Sequence, residues 1–216
     1  MVIAIDGPAG SGKGTVAKIL SERLNILNID TGATYRCVAL KTIQNNIDIK
    51  DEEAIIKIAS DIDIKETNDG KVYLDNKDVT KEIRSKEVTT IVSQISSIVK
   101  VREYMVDVQR NMANDNDVVM EGRDITTVVF PNADYKFYLD ASLKVRADRR
   151  YKENKEKNID MTYEEIYENI KQRDYNDMHK KVGSLMRTDE QIYIDSSDLS
   201  IDEVVEKMLE VIKKWI

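Results

Sequence analysis

The residues with the clearest chemistry lie near the start of the chain, where positions 7–15 read GPAGSGKGT. Glycines let backbone N–H groups point inward without a Cβ clash, and the ammonium group of Lys13 can bind the β- and γ-phosphates of a nucleotide. The pattern is therefore typical of a phosphate-binding loop. We predict that the nucleotide is bound by Gly7, Pro8, Ala9, Gly10, Ser11, Gly12, Lys13, Gly14 and Thr15.

The segments on either side of this loop have the form that phosphate binding requires. Residues 2–5 form a short apolar run that predicts a buried strand, and from Val16 onward apolar residues recur at helical spacing. The N-terminus of the helix adds partial positive charge. The alternative, a glycine-rich turn beside a surface lysine, explains less of the pattern. We expect Lys13 to face solvent, so that its replacement leaves the fold intact.

The position after the lysine departs from the usual phosphate loop, in which Ser or Thr binds magnesium. Here that position is Gly14, and Thr15 comes one place later. We therefore expect Mg²⁺ to be bound partly through water or by other residues. No direct side-chain ligand is assigned, and Thr15 is the single candidate.

Composition limits the class of protein. The 216 residues suffice for one domain, with 34% charged and 41% hydrophobic residues, as in soluble globular proteins. A net charge of −7 argues against a general nucleic-acid binder, so an anionic ligand needs a local cationic cluster. Cys37 and His179 are the single residues of their types, and we expect core packing for the first and a surface or lid position for the second. We see no signal peptide or membrane span and expect a cytoplasmic protein.

Strand and helix patterns alternate along most of the chain. Apolar runs at 2–5, 26–30, 117–121, 135–140 and 191–195 predict five strands, and the helices between them imply a parallel sheet covered on both faces. A helix predicted over 87–114 has a candidate break at Ser96-Ser97. Residues 62–74 suggest a hairpin, with Val79 in a third strand, and read as an inserted antiparallel unit. The alternative is an edge hairpin of the main sheet.

Polar residues follow the carboxyl ends of these strands, which is where ligands bind in such sheets. Tyr35 and Arg36 come one turn into the helix after the second strand, and Arg36 could hold a phosphate by two hydrogen bonds. Arg123 and Asp124 follow the third strand, after Gly122. The plainer alternatives are core-edge packing for Tyr35, a surface charge for Arg36, and a salt-bridged strand end for Arg123 and Asp124.

Taken together, these motifs resemble those of the bacterial cytidylate kinases, within the P-loop nucleoside monophosphate kinases, and the resemblance runs nearly end to end. Besides the phosphate loop, the motifs that carry it are DTGATYR at 30–36, SQIS at 93–96, VRE at 101–103, EGRDITTVVFP at 121–131, QRDYND at 172–177 and IDSSDLSIDEVVEKM at 194–208. The loop alone indicates only a nucleotide kinase. The 121–131 motif with the 30–36 motif and the insert is much more specific.

The resemblance implies a single domain over 1–216 with an α/β P-loop kinase fold: a five-stranded parallel sheet flanked by helices, a small antiparallel insert at about 62–85 that binds the monophosphate, and a lid at about 149–187. It also implies the reaction. Members transfer the γ-phosphoryl group of ATP to CMP or dCMP, with Mg²⁺, giving CDP or dCDP and ADP. The expected partners are these nucleotides, with no nucleic acid and no membrane, and we expect a monomer.

The resemblance further implies roles for individual residues. Thr31 would hydrogen-bond CMP, Tyr35 would line the site, and Arg36 and Arg123 would hold the CMP phosphate. Ser93, Arg102 and Asp124 would recognise the cytosine. Arg173 and Asp177 would bind the ribose hydroxyls. Lys180 stands where a lid arginine is common, so Lys181 or Arg187 could share its task, since lysine keeps the charge but not the bidentate fork. The catalytic set would be Lys13, Arg36, Arg123 and Arg173.

Some questions stay open at this point. The chain could be another small P-loop kinase, such as a uridylate, adenylate or shikimate kinase, although the insert and the Gly122-Arg123-Asp124 element argue against these. It could also be a regulatory module that binds ATP without transfer. The sequence does not say which of Arg146, Arg149 and Arg150 faces ATP, nor whether CMP or dCMP is preferred.

Overall fold

A computed structural model describes residues 1–67, 69–114, 116–156 and 158–213. Trp215, which the helical pattern predicts to be buried in the last helix, lies outside these ranges. The elements follow in the order β1 (Val2–Asp6), α1 (Lys13–Leu24), β2 (Leu27–Asp30), α2 (Thr31–Gln44), α3 (Glu52–Asp61), β3 (Ile64–Glu66), β4 (Val72–Leu74), β5 (Lys77–Asp78), a 3₁₀ turn (Glu82–Arg84), α4 (Lys86–Ile95), α5 (Val99–Met112), β6 (Val118–Gly122), a π-helical turn (Ile125–Val129), β7 (Tyr135–Asp140), α6 (Leu143–Glu156), α7 (Tyr163–Met178), β8 (Ile192–Asp195) and α8 (Ile201–Lys213).

The main sheet has five parallel strands, as predicted. Their order in the sheet is β2-β6-β1-β7-β8. Strand β1 lies in the middle, and Ile3 is paired with Val119 on one side and Tyr135 on the other. Because all five strands run the same way, their carboxyl ends meet at one edge of the sheet. The phosphate loop follows the central strand at that edge.

Side chains of β1 alternate between the two faces of the sheet, as strand geometry requires. Ile3 and Ile5 pack with Val16 of α1 and Met208 of α8 on one face. Ala4 belongs to the core on the other face, with Val106 of α5. Helices therefore cover both faces. Each fully buried aliphatic side chain contributes roughly 1.5–3 kcal/mol to the free energy of unfolding.

The insert forms its own antiparallel sheet, in the order β3-β4-β5. Ile64 is paired with Leu74, and the β4–β5 turn has two residues with positive φ, Asp75 and Asn76. The alternative of an edge hairpin in the main sheet is therefore wrong. The predicted third strand is present as β5, and buried Val79 directly follows it, with its N–H donating to the Val72 carbonyl of β4 at 2.9 Å.

The long helical stretch breaks where the sequence predicts. Helix α4 ends at Ile95 and α5 begins at Val99. The hydroxyl groups of Ser96 and Ser97 both donate to the Ser93 carbonyl, at 3.0 and 2.8 Å. Such local bonds compete with helix continuation. The break turns the Ser96 carbonyl toward α5, which matters for the site below.

Helices α6 and α7 pack together through Ala147, Ile166 and Ile170 and occupy most of the region predicted to be the lid. Helix α7 begins with a capping box made by Thr162 and Glu165. As expected, Cys37 is buried in the core. Within the described ranges, no helix combines the length and the apolar character needed to span a bilayer.

Candidate active site

The phosphate loop makes a sharp turn at the end of β1. Gly7 has φ +153°, and a Cβ there would overlap the Leu139 carbonyl of β7. Only glycine fits that backbone conformation and close approach. Gly12, with φ +97°, precedes the first turn of α1. The loop therefore presents its backbone to the N-terminus of α1, where N–H groups lack helical partners.

Lys13 is buried, so the expectation that it faces solvent is wrong. It is the first residue of α1, its exposed fraction is 4%, and its Nζ donates to the Pro8 carbonyl at 2.9 Å. Burial, helped by the charge of Arg123 and opposed by that of Glu121, lowers the pKa of Lys13 to about 7. The ammonium group of Lys13 thus lies beneath the loop, where a bound anion would stabilise its charged form.

Two of the three candidate lid arginines, Arg146 and Arg149, bind the backbone of the phosphate loop. Arg146 Nη1 donates to the Ala9 carbonyl at 3.0 Å and pairs with Asp174, whose other oxygen accepts from the Ala9 N–H at 3.3 Å. Arg149 donates to Ser196 O and, at 3.4 Å, to Ser11 O. Arg150 differs: its side chain is 42% exposed and pairs with Glu153 at 3.1 Å. Arg150 is therefore the arginine of the three that can reach a ligand without releasing the loop.

Arg123, Arg173 and Lys180 converge on one carboxylate, that of Asp177. Arg123 Nε lies 2.8 Å from Asp177 Oδ2, Lys180 Nζ lies 3.0 Å from Oδ1, and Arg173 Nε lies 4.0 Å from Oδ2. Burial alone would raise the pKa of Asp177, but these three cations lower it to about 2. One carboxylate faces three cations, so the cluster keeps a positive excess beside Lys13.

Arg36 joins helix α2 to the insert side of the site. Its Nη1 donates to the Ile83 carbonyl and to Thr89 Oγ1, both at 3.0 Å. Burial lowers the pKa of Arg36, and the nearby charges of Arg150 and Arg123 act in the same direction. Arg36 thus belongs to the cationic cluster, and the surface-charge alternative is wrong.

Thr31 and Tyr35 lie on the same helix, closer to the sheet. Thr31 Oγ1 donates to the Glu121 carbonyl at 2.8 Å, which joins the start of α2 to the end of β6. Tyr35 is 8% exposed, and the Arg102 guanidinium lies over its ring at 5.3 Å from the centroid. Such a contact between a cation and an aromatic face is favourable. The ring of Tyr35 thus packs against the Arg102 guanidinium and helps to hold it in place.

Arg102 and Asp124 form a buried ion pair, which we call the base-recognition pair. Their exposed fractions are 4% and 5%. Arg102 Nη1 also donates to Ser96 O at 3.1 Å, at the helix break, and Ser93 lies in the last turn of α4 beside it. Burial raises the pKa of Asp124, and Arg102 opposes that rise. Among the described residues, Arg102 Nε has no hydrogen-bond partner.

A buried network centred on Asp6 was not predicted. Its carboxylate accepts from Ile125 N at 2.8 Å, Thr126 N at 2.9 Å and Thr126 Oγ1 at 2.6 Å, while Gln191 Nε2 donates to the same hydroxyl. Asp6 is the last residue of β1, and Ile125 directly follows Asp124. π-Helical turns such as Ile125–Val129 are rare and often lie at functional sites. The one signal in the sequence is a charged residue ending an apolar strand.

Two further buried carboxylates, those of Glu66 and Glu121, were also missed. Glu66 of β3 accepts from Asp30 N at 3.0 Å, and burial raises its pKa well above the usual value, with Asp30 adding to the rise. Glu121 Oε1 lies 3.3 Å from where a Cβ on Gly14 would stand, and burial raises its pKa against the effect of Lys13. Carboxylates are the ligand type that Mg²⁺ prefers. In the described part of the chain, however, no three such groups form a ready metal cage.

These contacts bring a phosphate loop, a cationic cluster and a buried hydrogen-bonding pair to one edge of the sheet. A family model described as cytidylate kinase matches residues 3–214. The chain belongs to the cytidylate kinase family. Relatives named cytidylate kinase include one from Caldanaerobacter subterraneus subsp. tengcongensis, 48% identical over 212 residues that cover 98% of this chain and 94% of the relative. Another, from Lactobacillus johnsonii, is 46% identical over 217 residues and covers 99% and 94%.

The family fixes the class of enzyme as a nucleoside monophosphate kinase, which rules out the shikimate kinase and regulatory-module alternatives. Solved structures support the fold alone. An uncharacterized protein from Eubacterium ventriosum gives a TM-score of 0.55 at 14% identity, covering 99% of this chain and 98% of that one. Shikimate kinase from Bacteroides thetaiotaomicron gives 0.51 at 12% identity, with the same coverage. The predicted P-loop kinase fold is confirmed.

Proposed function

We propose that this cytidylate kinase transfers the γ-phosphoryl group of ATP to CMP or dCMP, giving CDP or dCDP and ADP. The observation that carries the choice of base is the buried Arg102–Asp124 pair. Cytosine presents an amino donor beside ring acceptors, and a carboxylate next to a guanidinium complements that edge. Uracil presents an acceptor where cytosine has the amino group, so the carboxylate oxygen that faces the base would receive no hydrogen bond from it.

The phosphate end of the site supports phosphoryl transfer. Lys13 and the loop N–H groups would hold the β- and γ-phosphates of ATP, and Arg36 and Arg123 would hold the CMP phosphate. Arg173 would act on the same phosphates, since its charge lowers the pKa of Lys13 and its Nε lies 4.0 Å from Asp177, which Arg123 also binds. Arg150 is the candidate for the lid arginine that contacts the transferred group. These charges would neutralise what develops on the equatorial oxygens of the transition state.

No strong general base is needed in this mechanism, because the phosphate of CMP is a nucleophile near neutral pH. Catalysis then depends on in-line positioning and on water exclusion. Closure of residues 149–187 would keep water from the γ-phosphoryl group and prevent hydrolysis of ATP. Residues 62–85 would close over the monophosphate from the other side, and the Glu66 contact to Asp30 N would fasten them there.

Mg²⁺ would neutralise charge on the β- and γ-phosphates when bound with ATP. Glu121 lies beside Gly14 and its charge acts on Lys13, so it would fit a magnesium ion held partly through water. Thr15 is exposed on α1 and remains the candidate for a direct ligand. At the sugar, Asp177 and Arg173 would bind ribose hydroxyls, and Lys180 would supply a single charge where a bidentate contact is usual in the family.

The test is a coupled assay that measures ADP formation from ATP and Mg²⁺ with CMP, dCMP, UMP, AMP and shikimate in turn. We expect CMP and dCMP to give kcat/KM values at least fivefold above those of UMP and AMP, and no turnover of shikimate. Equal or better use of UMP or AMP would overturn the proposed acceptor. The ratio of CMP to dCMP decides between the two sugars.

A further inference from the structure

The residues between α7 and β8 cross the base-recognition pair. We call residues 180–185 the strap. It is attached at both ends: Lys180 Nζ donates to Ser96 Oγ at 3.0 Å, and Leu185, which is 3% exposed, donates its N–H to the Asp177 carbonyl at 2.8 Å. The first attachment involves Ser96, whose carbonyl also binds Arg102. The strap and the pair therefore share one support.

Gly183 brings the backbone of the strap against the pair itself. A Cβ on Gly183 would overlap Arg102 Nη2 and Cζ and also Asp124 Oδ2. Its φ is +66°, a conformation that glycine adopts without strain. At position 183 a side chain would collide with the pair, so there the backbone itself forms a wall of the base site. The low exposure of Arg102 and Asp124 is consistent with that wall.

We propose that Gly183 determines base specificity, by letting the strap close on Arg102 and Asp124 so that water cannot reach them. The inference rests on the proposed function, in which that pair recognises cytosine. Discrimination by hydrogen bonds is strong only where an unmatched group stays unpaired. A strap held away from the pair would admit water, and the carboxylate facing uracil would be solvated. UMP would then be used better relative to CMP.

The chain offers a matched control for the strain at Gly183. Gly70, in the turn of the insert hairpin, has φ +77° and nothing within 4 Å of its Cβ position. Alanine at either position meets the same type of backbone strain, but only at Gly183 does it meet the base-recognition pair. Asparagine tolerates positive φ better than alanine. The pair Gly183→Asn and Gly70→Asn therefore keeps the steric difference at a smaller cost in folding.

The experiment measures kcat/KM for CMP and for UMP at saturating ATP, together with thermal stability, in Gly183→Ala, Gly183→Asn, Gly70→Ala and Gly70→Asn. Ser96→Ala is a further variant that removes the hydrogen bond from Lys180 to the helix break, keeps the ion pair of Lys180 with Asp177, and adds no bulk. We expect the ratio of CMP to UMP to fall at least fivefold in the Gly183 variants and to fall in Ser96→Ala. In the Gly70 variants it should stay within twofold of the wild-type value.

A purely structural role of the strap would lower stability and turnover with both substrates and leave the ratio unchanged. An unchanged ratio in folded Gly183→Asn and Ser96→Ala, in an enzyme that prefers CMP, overturns this inference and leaves the proposed function standing. A wild-type enzyme without preference for CMP over UMP overturns the proposed function instead.

Discussion

Replacing Asp124 by asparagine removes one charge from the base-recognition pair and keeps its shape. The amide can turn its N–H₂ group toward the O4 acceptor of uracil, whereas its oxygen is a weaker partner for the amino group of cytosine. A matched against an unmatched contact of this kind differs by ~1–3 kcal/mol. That corresponds to a preference for CMP of roughly 5- to 150-fold, because 1.36 kcal/mol is a factor of ten. Asp124→Asn should bring the ratio of kcat/KM for CMP over UMP close to one.

The same substitution should lower stability, because Arg102 is 4% exposed and loses its charged partner. Removing one member of a buried pair costs ~3–5 kcal/mol, and an amide that still accepts a hydrogen bond should bring the cost toward the lower figure. For a chain of this size that is a fall in Tm of roughly 6–12 °C. The assay is therefore run well below the melting temperature of the variant, with Tm measured by calorimetry.

Asp174→Asn is the control, since Arg146 and Asp174 form a second buried ion pair that lies against Ala9 and not against the base. It should lower stability and turnover but leave the ratio of CMP to UMP near the wild-type value. Arg102→Ala should weaken both substrates, since Arg102 donates to either base. The reasoning is refuted if Asp124→Asn leaves the ratio as it is, and Ser93 then becomes the better candidate for base recognition.

Four other predictions concern the phosphate loop and the insert. Lys13→Ala should lower kcat more than ~100-fold, as loss of a preorganised donor does. Its Tm should stay within a few degrees of the wild-type value, since the hydrogen bond lost is the one from Lys13 Nζ to Pro8 O. Near-normal turnover would mean that ATP binds elsewhere. Hydrogen exchange in residues 62–85 or at their ends should slow at saturating CMP, and unchanged exchange would make the insert static. Because the pKa of Lys13 is lowered to about 7, ATP binding at pH 8 should take up a proton, seen as a buffer-dependent heat in calorimetry that Lys13→Met abolishes. For the same reason the contribution of Lys13 to the free energy of unfolding should rise with pH between about 7 and 10, since only the unfolded chain stays protonated there.

Local patterns in the sequence predict much of the fold. Alternation of apolar runs locates the five strands, and the serine pair at 96–97 locates the helix break, because both depend on residues close in sequence. Local pattern does not determine whether the hairpin of the insert joins the edge of the main sheet or forms a sheet of its own. The sequence therefore could not decide between these two arrangements. The burial of Lys13 was missed for a related reason. A lysine after a glycine-rich turn looks exposed until Arg146, Asp174 and the lid helices are packed over the loop.

The contacts missed at the site are long-range. Asp6 and Thr126 are 120 positions apart, and Arg102 meets Asp124 and Gly183 from three separate elements. Motifs indicated that Arg102, Asp124 and Asp177 matter, but not that Asp177 faces three cations or that the strap covers the pair. Charge and hydrogen-bond complementarity between distant segments leaves no periodic trace in a single sequence.

The carboxylate of Asp6 limits how mutations can change the base that the enzyme accepts. Gly7 follows Asp6 directly, and the Asp6 carboxylate accepts a hydrogen bond from the N–H of Ile125, the residue after Asp124. The phosphate loop and Asp124 are therefore both anchored at the end of β1. The spacing between Asp124 and the phosphate loop is thus set within the core of the main sheet. Redesign of the enzyme for other pyrimidines should vary Arg102, Asp124 and Gly183 and keep Asp6, which fixes the spacing between the base site and the phosphate loop.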